Sequence, residues 1–505
     1  MFHSKICLSL TASTIEEDLR ILEKYRNRID VAELRVDCLL QDERLKIRRF
    51  PELANIPCIL SIKRAVNGGF FTEGESSRTV LFARAIAFAN QDTRKNFAYI
   101  DLEEDFNVSS IQDAALAFGT RIIRSIYVNE SNISTLPKRL ERRLMPSFEI
   151  PKIVFEPQSL QGLTQLFIDY AEKPVTCEHI FDIGGLYAMP ATILAQKLQS
   201  YMTYTLPKEM INDQNEYWAI DPETLEDTYN YRGVDNDTKI FAITGNPLIH
   251  SLSPAIHNLG YKKYNLNNVY IPLRSASIEE AFAFADALNI EAMTVSPPFK
   301  GEVVQYLESI SEEAGESASC DTILRKNGNP KDDWQGYNMR VDAIIETFRE
   351  LSGRKTLWGC KVAIIDAGPE AATVAYAVKM LKAKACIFSN KTKEAKALAE
   401  QFGIKWSILN ENTIDKIEEY SDLIIQTKSE NPDLVFLGGT DMVQDPIPFY
   451  DFSGREIVFE CIYNPKESPC LKRARKAGCK TANAYELITL QAKRQFELFT
   501  GMKYE

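Results

Sequence analysis

The sequence is poor in the residues that metal centres and disulfide frameworks require. Its 505 residues include only four histidines, and its ten cysteines are spread along the chain with no CxxC pair. Structural zinc sites need closely spaced cysteine and histidine ligands, so this pattern argues against a zinc site and against a disulfide-stapled secreted fold. We interpret the cysteines as reduced thiols, which predicts a cytoplasmic protein.

Long apolar runs and an excess of positive charge are also missing. No apolar stretch approaches membrane length, and the amino terminus lacks the basic and apolar regions of a signal peptide. The formal net charge of −11 argues against nucleic acid or an anionic membrane as the main partner. The contents of 45% hydrophobic and 26% charged residues are ordinary for a globular protein, and the length predicts about two to four domains.

The first part of the chain alternates β-rich runs with helical stretches. Eight such runs, separated by amphipathic spacers, predict a closed (β/α)8 barrel. The runs are KICLSL, VAELRVD, CILSIK, FAYIDLEED, RIIRSIYV, KIVFEP, HIFDIGG and YMTYTL. In such a barrel, charged residues at the carboxyl ends of the strands point into the active site.

Several of these strand ends resemble motifs of the Schiff-base (type I) 3-dehydroquinate dehydratases. Glu33 and Arg35 belong to an ELRxD strand end, Lys63 precedes a Gly-Gly loop, and Asp101 and Glu103 form a DxE pair. The resemblance implies that Glu33, Arg35 and Lys63 contact the substrate.

The family's catalytic lysine corresponds to Lys152, shortly before a Pro-Gln-Ser motif. The resemblance implies that its amine attacks the substrate ketone to form a Schiff base, while a base removes the adjacent proton. Without that context, a lone lysine would more often lie on the surface. The family's histidine corresponds to Tyr127, and its substrate-binding arginine and glutamine correspond to Thr192 and about Pro222. A phenol with an ordinary pKa near 10 is a poor base at neutral pH, so dehydratase activity is expected to be weakened or lost.

The second half opens with FAITGNPLIHSLSPAIHN, residues 241–258, which predicts a strand, a polar loop and a helix. Ser251 and Ser253 would stand at the carboxyl end of the strand, where two hydroxyls can hold a carboxylate. Alternatively, they are ordinary helix-capping residues. The string closely resembles the opening motif of shikimate dehydrogenases, in which this pair of serines holds the shikimate carboxylate.

Lys300 ends the run SPPFK, which is similar to the VTxPxK turn of the same family. The resemblance makes it the catalytic lysine, although it could also simply begin a helix. Two motifs are altered: Asp321 replaces the asparagine of GAxNT, and Arg340 replaces the aspartate of GxNTD that pairs with the lysine. Asn338 keeps its place and is predicted to bind substrate. We expect Arg340 to set a second cation against Lys300 and to remove its acceptor.

A strand at residues 361–365 leads into DAGPEA and a long helix, similar to the GAGGAA turn that holds the pyrophosphate of NADP. Gly368 and Ala371 are retained. Asp366 and Glu370 place carboxylates at this turn, and Pro369 lacks an N–H donor.

Two further matches complete the dehydrogenase resemblance. Asn390, Lys391 and Thr392 match the family's NRT motif, whose cation would meet the 2′-phosphate of NADP, although a solvated loop lysine fits equally well. Gln491 resembles the glutamine of the closing helix that contacts substrate, and it could otherwise be an interface residue.

Almost the whole chain therefore resembles one α/β arrangement, a (β/α)8 barrel joined to a two-domain dehydrogenase with a Rossmann-type nucleotide domain. The predicted segments are a barrel at 1–225, an exposed linker at 226–238, a substrate-binding domain at 239–348, an NADP-binding domain at 349–470 and carboxyl-terminal helices at 471–505.

The resemblance implies a bifunctional enzyme of the shikimate pathway, which serves chorismate and aromatic amino acid biosynthesis. Its partners would be small molecules, namely 3-dehydroquinate, 3-dehydroshikimate and shikimate. Because of Tyr127 and Arg340, one or both activities are expected to be impaired. The alternative is a catalytically silent homologue that binds a metabolite or a regulatory partner.

Overall fold

The structure is a computed structural model that describes residues 3–86, 92–130, 148–172, 178–212, 215, 218–248, 251–326, 333–427, 444–462 and 466–504. The chain clusters into two compact units. One comprises Met1–Ile240 and Asn265–Leu288, and the other comprises Phe241–Tyr264 and Asn289–Glu505. Within the described ranges, no helix is both long and apolar enough to cross a bilayer.

Eight parallel strands form the centre of the first unit. They are β1 (Lys5–Leu10), β2 (Val31–Arg35), β3 (Cys58–Ser61), β4 (Tyr99–Glu103), β5 (Arg121–Val128), β6 (Glu149–Phe155), β7 (Ile180–Ile183) and β8 (Met202–Thr205). Each of β1 to β6 pairs with the next strand, and β8 pairs with β1. Next to the seam between β7 and β8, Tyr201 N donates to His179 O at 2.6 Å. The eight predicted strands are confirmed, and the barrel is nearly closed.

The barrel is filled in layers because successive side chains of a strand point to opposite faces. One buried layer takes one residue from each strand: Cys7, Val31, Ile59, Tyr99, Ile123, Ile150, Ile180 and Met202. This mostly apolar layer supports the layer above it, two residues further along each strand.

The helices between these strands are α1 (Ile15–Tyr25), α2 (Phe50–Ala54), α3 (Glu75–Ile86), α4 (Ser109–Ala117), α5 (Leu160–Glu172) and α6 (Met189–Ile193), and α7 (Pro222–Asp227) follows β8. Helix α1 begins at a Thr14 cap, whose hydroxyl accepts from Glu17 N at 3.3 Å. Between β2 and β3, only 3-10 turns and the five-residue helix α2 occur, so that spacer is not the amphipathic helix that was predicted. Helix α2 stops there because Asn55 adopts a left-handed conformation with φ 50°.

The prediction that the linker at 226–238 is exposed is wrong. Tyr229, Tyr231 and Val234 are buried, and the Tyr231 carbonyl accepts from Gln196 Nε2 at 3.2 Å. Arg232 is paired with Asp30 at 3.0 Å. The polar composition suggested an exposed connection, whereas the aromatic and apolar side chains between the polar ones pack into the first unit.

The chain continues through β9 (Lys239–Gly245), α8 (Ser253–Lys263), β10 (Asn268–Arg274) and α9 (Ile278–Ala287). Helix α9 belongs to the first unit, where its Phe284 meets Phe167 of α5 edge-on at a centroid distance of 5.7 Å. Ser277 caps α9 by accepting from Glu280 N.

The second unit contains β11 (Ala292–Val295), α10 (Glu312–Ser317), β12 (Ser309–Ile310), β13 (Thr322–Arg325), β14 (Trp334–Tyr337) and α11 (Met339–Ser352). Strands β9, β11, β13, β14 and β12 lie side by side in that order. Because β9 and β11 are parallel, with Val295 opposite Thr244, their carboxyl ends meet at the same edge of the sheet.

A second sheet follows, with strands β15 (Lys361–Ile365), β16 (Lys384–Phe388), β17 (Lys405–Ser407), β18 (Leu423–Gln426), β19 (Ile457–Glu460) and β20 (Lys480–Asn483). The helices are α12 (Pro369–Met380), α13 (Thr392–Phe402), α14 (Ile414–Glu419), α15 (Pro469–Ala477) and α16 (Ala484–Thr500). All six strands are parallel in the order β17-β16-β15-β18-β19-β20, which is the doubly wound order of dinucleotide-binding domains. The predicted Rossmann-type domain is confirmed.

Candidate active sites

Two residues further along each strand, the side chains inside the barrel change from mostly apolar to polar. Counting two residues on from the mostly apolar layer stays on the same face of each strand. The positions reached are Ser9, Glu33, Ser61, Asp101, Ser125, Lys152, Asp182 and Tyr204. An ammonium therefore lies among three carboxylates, hydroxyls and a phenol at the carboxyl ends of the strands, where barrel enzymes hold their active sites.

Lys152 is fully buried at the centre of this polar layer, as predicted for the inside of the barrel. Its amine donates to Asp101 Oδ2, lies 3.7 Å from Asp182 Oδ2 and is 5.0 Å from the centre of the Tyr204 ring. Burial favours the neutral amine, but Asp101 together with Tyr204, Asp182 and Glu33 outweighs it, and the pKa of Lys152 rises well above its usual value. The lysine is therefore an ammonium at neutral pH.

A cavity of about 110 Å³ opens above this layer. The predicted substrate residues Glu33, Arg35 and Lys63 all line it, and so do Asp182 and Tyr204. Glu33 Oε2 accepts from Ser9 Oγ at 2.6 Å, whereas its Oε1 is buried without a protein partner among the described residues. Such an acceptor, left over at the wall of a cavity, suits a ligand that carries hydroxyl groups.

Arg35 and Lys63 each face a carboxylate. Arg35 donates to both oxygens of Asp37 at 3.0 and 2.7 Å, and Lys63 Nζ lies 3.9 Å from Asp182 Oδ2. These pairs fix the two cations at the cavity wall.

Of the three barrel positions that differ from the family motifs, one lines the cavity. Tyr127 lies near the end of β5, and burial raises the pKa of its phenol, which makes it an even poorer base. Thr192 lines the cavity. Pro222 instead begins α7 behind its Asp221 cap.

In the second unit, the serine loop and Lys300 lie at neighbouring strand ends. Ser253 begins α8, and its N–H donates to Ser251 Oγ at 3.4 Å. The ends of β9 and β11 are joined there, because Ser296 N donates to Thr244 O at 2.8 Å and Asn246 N donates to Pro297 O at 3.2 Å. The strand and the helix predicted on either side of the serine loop are confirmed, and residues 249–250 of that loop lie outside the described residues.

Lys300 is connected to Asp321 through the backbone, since Cys320 N donates to Lys300 O at 2.8 Å. Asp321 is buried and accepts from the backbone N–H groups of Met339 and Arg340, at 3.0 and 2.8 Å. Burial raises the pKa of Asp321, while Lys300 and these hydrogen bonds oppose the rise. The carboxylate thus caps the start of α11, a task for which an N-terminal acid is well suited.

The prediction that Arg340 sets an unpaired second cation against Lys300 is wrong, because Arg340 is paired with a carboxylate. Its Nε donates to Glu370 Oε1, and its Nη1 donates to Gln491 Oε1 at 3.1 Å. Glu370 Oε2 in turn lies 3.9 Å from Lys300 Nζ. A carboxylate therefore lies between the two cations and offsets their repulsion.

Gln491 and Asn338 both lie inside this second centre. Gln491 Nε2 donates to Asp321 Oδ2 at 3.1 Å. Asn338 Nδ2 donates to Ser317 Oγ at 2.8 Å. Its Oδ1 is buried, and no group in the described part of the chain donates a hydrogen bond to it. An unused amide oxygen can accept from a substrate hydroxyl.

The nucleotide turn places a glycine at the start of a long helix. Gly368 caps the twelve-residue helix α12, and a Cβ at this position would come within 3.2 Å of Asp366 Oδ2. Asp366 is not a loose charge, since its carboxylate accepts from Lys391 Nζ at 3.0 Å and from Ser389 Oγ at 3.2 Å. Few backbone donors remain for a dinucleotide phosphate at the start of α12, because Pro369 has no N–H and Ala371 N already donates to Gly368 O at 3.0 Å. Lys391 Nζ, 3.9 Å from the position of a Cβ on Gly368, is the nearby cation.

The predicted 2′-phosphate residues lie on the loop after β16. Asn390, Lys391 and Thr392 are all exposed, and Thr392 begins α13. Ala371, in the first turn of α12, is buried and keeps that turn small where the helix packs on the sheet.

Comparison with known proteins agrees with these two centres. A model of type I 3-dehydroquinase matches residues 6–173, and a model of the shikimate dehydrogenase substrate binding domain matches residues 243–323. The shikimate dehydrogenase (NADP(+)) of Caldanaerobacter subterraneus subsp. tengcongensis is 32% identical over 277 residues, which cover 53% of this chain and 94% of that protein. The chain belongs to the shikimate dehydrogenase family. The dehydrogenase part is preceded by a type I 3-dehydroquinase domain.

Two further relatives show the same division. The shikimate dehydrogenase (NADP(+)) of Thermococcus kodakarensis is 28% identical over 53% of this dehydrogenase chain and 93% of its own length. The bifunctional 3-dehydroquinate dehydratase/shikimate dehydrogenase, chloroplastic, of Arabidopsis thaliana is 24% identical over 99% of this chain and 82% of its own length. The resemblance therefore spans both halves of the chain.

Sequence reasoning missed three residues of this bifunctional dehydrogenase. Asp182 and Tyr204 belong to the polar layer of the barrel, and counting two residues on from Ile180 and Met202 could have found them. Glu370 was noted only as a charge at the nucleotide turn. Its pairing with Arg340 had no local signal, because the two residues are 30 positions apart.

Proposed function

We propose that this chain catalyses two consecutive steps of the shikimate pathway. The first unit dehydrates 3-dehydroquinate to 3-dehydroshikimate, and the second reduces 3-dehydroshikimate to shikimate with NADPH. The supporting observation is that each unit surrounds its family's lysine with charged partners: Lys152 with Asp101 and Asp182, and Lys300 with Glu370. The domain boundaries predicted from the sequence are part of this proposal.

In the dehydrogenase, the side chains bind the substrate and supply a proton. The hydroxyls of Ser251 and Ser253 hold the substrate carboxylate, and Asn338 and Gln491 bind ring hydroxyls. When bound, NADPH supplies the hydrogen and the electron pair that reduce the ketone. Lys300 donates a proton to the ketone oxygen as it becomes a hydroxyl and is then reprotonated from solvent, so one proton is consumed overall.

The cofactor would be held by the nucleotide turn and the following loop. The turn at Gly368 and Ala371 faces the pyrophosphate, and Asn390, Lys391 and Thr392 face the 2′-phosphate. The Lys391 side chain is 54% exposed, so it is free to exchange Asp366 for a phosphate oxygen.

In the barrel, Lys152 passes its proton to Asp101, attacks the ketone and forms an imine with loss of water. Removal of a proton from the neighbouring carbon, followed by loss of the substrate hydroxyl as water, creates the double bond. Hydrolysis of the imine consumes one water and restores the lysine, so the net reaction releases one water. We assign the removal of the carbon proton to Asp182, which lines the cavity 3.7 Å from the Lys152 amine.

A carboxylate is a weaker base than the family's histidine, so we expect the dehydratase to be the slower of the two activities.

We also propose a cytoplasmic location, with small molecules as partners and neither nucleic acid nor a membrane among them. All nine cysteines in the described parts of the chain are free thiols, which suits a reducing compartment. The formal net charge of −11 supports the absence of a polyanionic partner.

The test of the dehydrogenase is a titration of the purified chain with NADPH and, separately, with shikimate, followed by a steady-state assay of shikimate oxidation with NADP. Saturable binding of both ligands and turnover that Lys300→Ala abolishes are expected. Lys326→Ala, on the exposed Lys326–Glu308 pair, is the matched control and should keep wild-type turnover. Shikimate binding without NADPH binding would overturn the enzyme assignment in favour of a metabolite-binding protein.

A further inference from the structure

Among three positions that depart from the dehydrogenase motifs, one contacts both of the others. Arg340 replaces the family's aspartate, Asp321 replaces its asparagine, and Glu370 stands in the altered nucleotide turn. The backbone N–H of Arg340 donates to Asp321 at 2.8 Å, and its guanidinium donates to Glu370. Because Arg340 contacts both other altered residues, we treat the three as one arrangement.

The charges of this arrangement are balanced around Lys300. Two cations, Lys300 and Arg340, meet two carboxylates, Asp321 and Glu370. Burial opposes ionisation of Glu370, but Arg340 and then Lys300 outweigh it and hold the pKa of its carboxyl below the usual value. Glu370 is therefore ionised at neutral pH.

The position of Glu370 is fixed from both sides. It lies in the first turn of α12, and its Oε1 is held by the buried guanidinium of Arg340. Its Oε2 is directed at the other cation, with 3.9 Å between it and Lys300 Nζ. The side chains of Lys300 and Glu370 are only 15% and 16% exposed, so solvent screens this attraction less than at a surface.

We propose that Glu370, held by Arg340, is the positioning residue that replaces the missing aspartate as the carboxylate partner of Lys300. It orients the ammonium towards the substrate oxygen and stabilises its positive charge before proton transfer. This proposal rests on the proposed dehydrogenase function. It also couples the nucleotide turn to the catalytic lysine through a single side chain.

The first test is the kinetics of Glu370→Gln, which removes the charge at nearly constant shape. We expect kcat for shikimate oxidation to fall by about 100-fold, the lower end of what a positioned proton-transfer group contributes, while KM for shikimate changes little. Glu346→Gln is the matched control, because it breaks an exposed ion pair between Glu346 of α11 and Arg494 of α16. It should leave kcat unchanged. An unchanged kcat in Glu370→Gln would overturn the proposal.

Glu370→Gln alone also leaves the buried guanidinium of Arg340 unpaired. Two double variants therefore separate the positioning of Lys300 by Glu370 from the pairing of Glu370 with Arg340. Arg340→Asp/Glu370→Gln and Arg340→Met/Glu370→Gln both remove the ion pair, but only the first returns a carboxylate to Lys300. We expect the first to recover to within about tenfold of the wild-type kcat and the second to remain about 100-fold lower. Equal kcat values in the two double variants would overturn the proposal.

A readout without cofactor or turnover is the rate of Lys300 acetylation by acetic anhydride, measured by peptide mass spectrometry with Lys326 as the internal standard. Lys300 should acetylate faster in Glu370→Gln and in Arg340→Met/Glu370→Gln than in the wild type, because the carboxylate that pairs with its side chain is gone. Equal rates in all variants would overturn the proposal. If Lys300 acetylated faster in the variants than in the wild type, but the wild type showed no turnover, the proposed function would fail while the assignment of Glu370 stood.

Discussion

Asp101 controls how readily Lys152 can react. Burial alone would lower the pKa of the Lys152 amine, but Asp101, with smaller contributions from Tyr204, Asp182 and Glu33, raises it well above the usual value. Only the unprotonated amine attacks a ketone, so imine formation should accelerate as the pH rises.

Asp101→Asn should move this pH dependence to lower pH, because the carboxylate that retains the proton is lost. The measurement is trapping of the imine with borohydride in the presence of 3-dehydroquinate, over a series of pH values. Asp105→Asn, on an exposed carboxylate paired with Arg64, is the control and should keep the wild-type profile. A profile of Asp101→Asn that coincides with the wild type would show that Asp101 does not hold the proton.

Asp182→Asn should separate proton removal from imine formation. An amide cannot accept the carbon proton, so kcat for dehydration should fall by about 100-fold or more, while the trapped adduct on Lys152 still forms. Tyr127→Phe is the contrasting variant, and it should lower kcat by less than about tenfold because the phenol is not the base. If Asp182→Asn lost trapping as well as turnover, Asp182 would belong to imine formation instead.

At the scale of secondary-structure elements, α8 and α16 approach each other too closely for a side chain at Gly260. A Cβ there would lie 2.6 Å from ring carbons of both Phe496 and Tyr504. These rings belong to an aromatic cluster in which Phe496 and Tyr504 meet edge-on at 4.9 Å.

Gly260→Ala should therefore lower the free energy of unfolding by about 1–3 kcal/mol, although alanine is the better helix former. Gly315→Ala is the matched helical control, because its nearest neighbour, Ile310 Cδ1, would lie at an ordinary 3.5 Å. That variant should be neutral or more stable by up to about 1 kcal/mol. Urea unfolding of both variants checks the contrast, and equal effects would show that the rings move aside.

His257, on the same helix α8, makes the stability of this packing depend on pH. Burial lowers the pKa of His257 to about 3, although a hydrogen bond with the Gln495 side chain opposes the shift. The unfolded chain takes up a proton below about pH 6.5 and the folded chain does not, so this residue costs stability as the pH falls from there towards about 3.

His257→Gln removes this cost. Between about pH 7 and pH 5, the variant should gain about 2 kcal/mol of unfolding free energy relative to the wild type. Urea unfolding at the two pH values measures the change. A constant difference between variant and wild type would contradict the lowered pKa.

At the scale of the whole molecule, the regular elements were more predictable than the contacts between distant side chains. The eight barrel strands are apolar runs bounded by polar spacers, and the spacing from the Pro-Gln-Ser motif placed Lys152 on a strand that faces the barrel interior. The segment at 226–238 was mispredicted because its polar residues concealed Tyr231 and its neighbours, which are buried. The Arg340–Glu370 pair could not be predicted, since it depends on how α11 and α12 are placed by the sheets and not on local sequence.

The two lysines proposed as catalytic, Lys152 and Lys300, lie in different compact units, so their losses should be independent. Lys152→Met should abolish dehydration and leave shikimate oxidation at the wild-type rate, whereas Lys300→Ala should do the reverse. Separate assays of 3-dehydroquinate dehydration and NADP-dependent shikimate oxidation check this. Loss of both activities in either variant would contradict independent sites.

The most direct test of the account is to add 3-dehydroquinate to the purified chain with NADPH and to follow the absorbance of NADPH. The account predicts that NADPH is consumed in equal amounts to 3-dehydroquinate and that shikimate accumulates. Lys152→Met should stop this consumption until 3-dehydroshikimate is supplied, and Lys300→Ala should stop it with either compound. An unchanged NADPH absorbance with both compounds in the wild type would contradict the claim that this chain carries out the two steps.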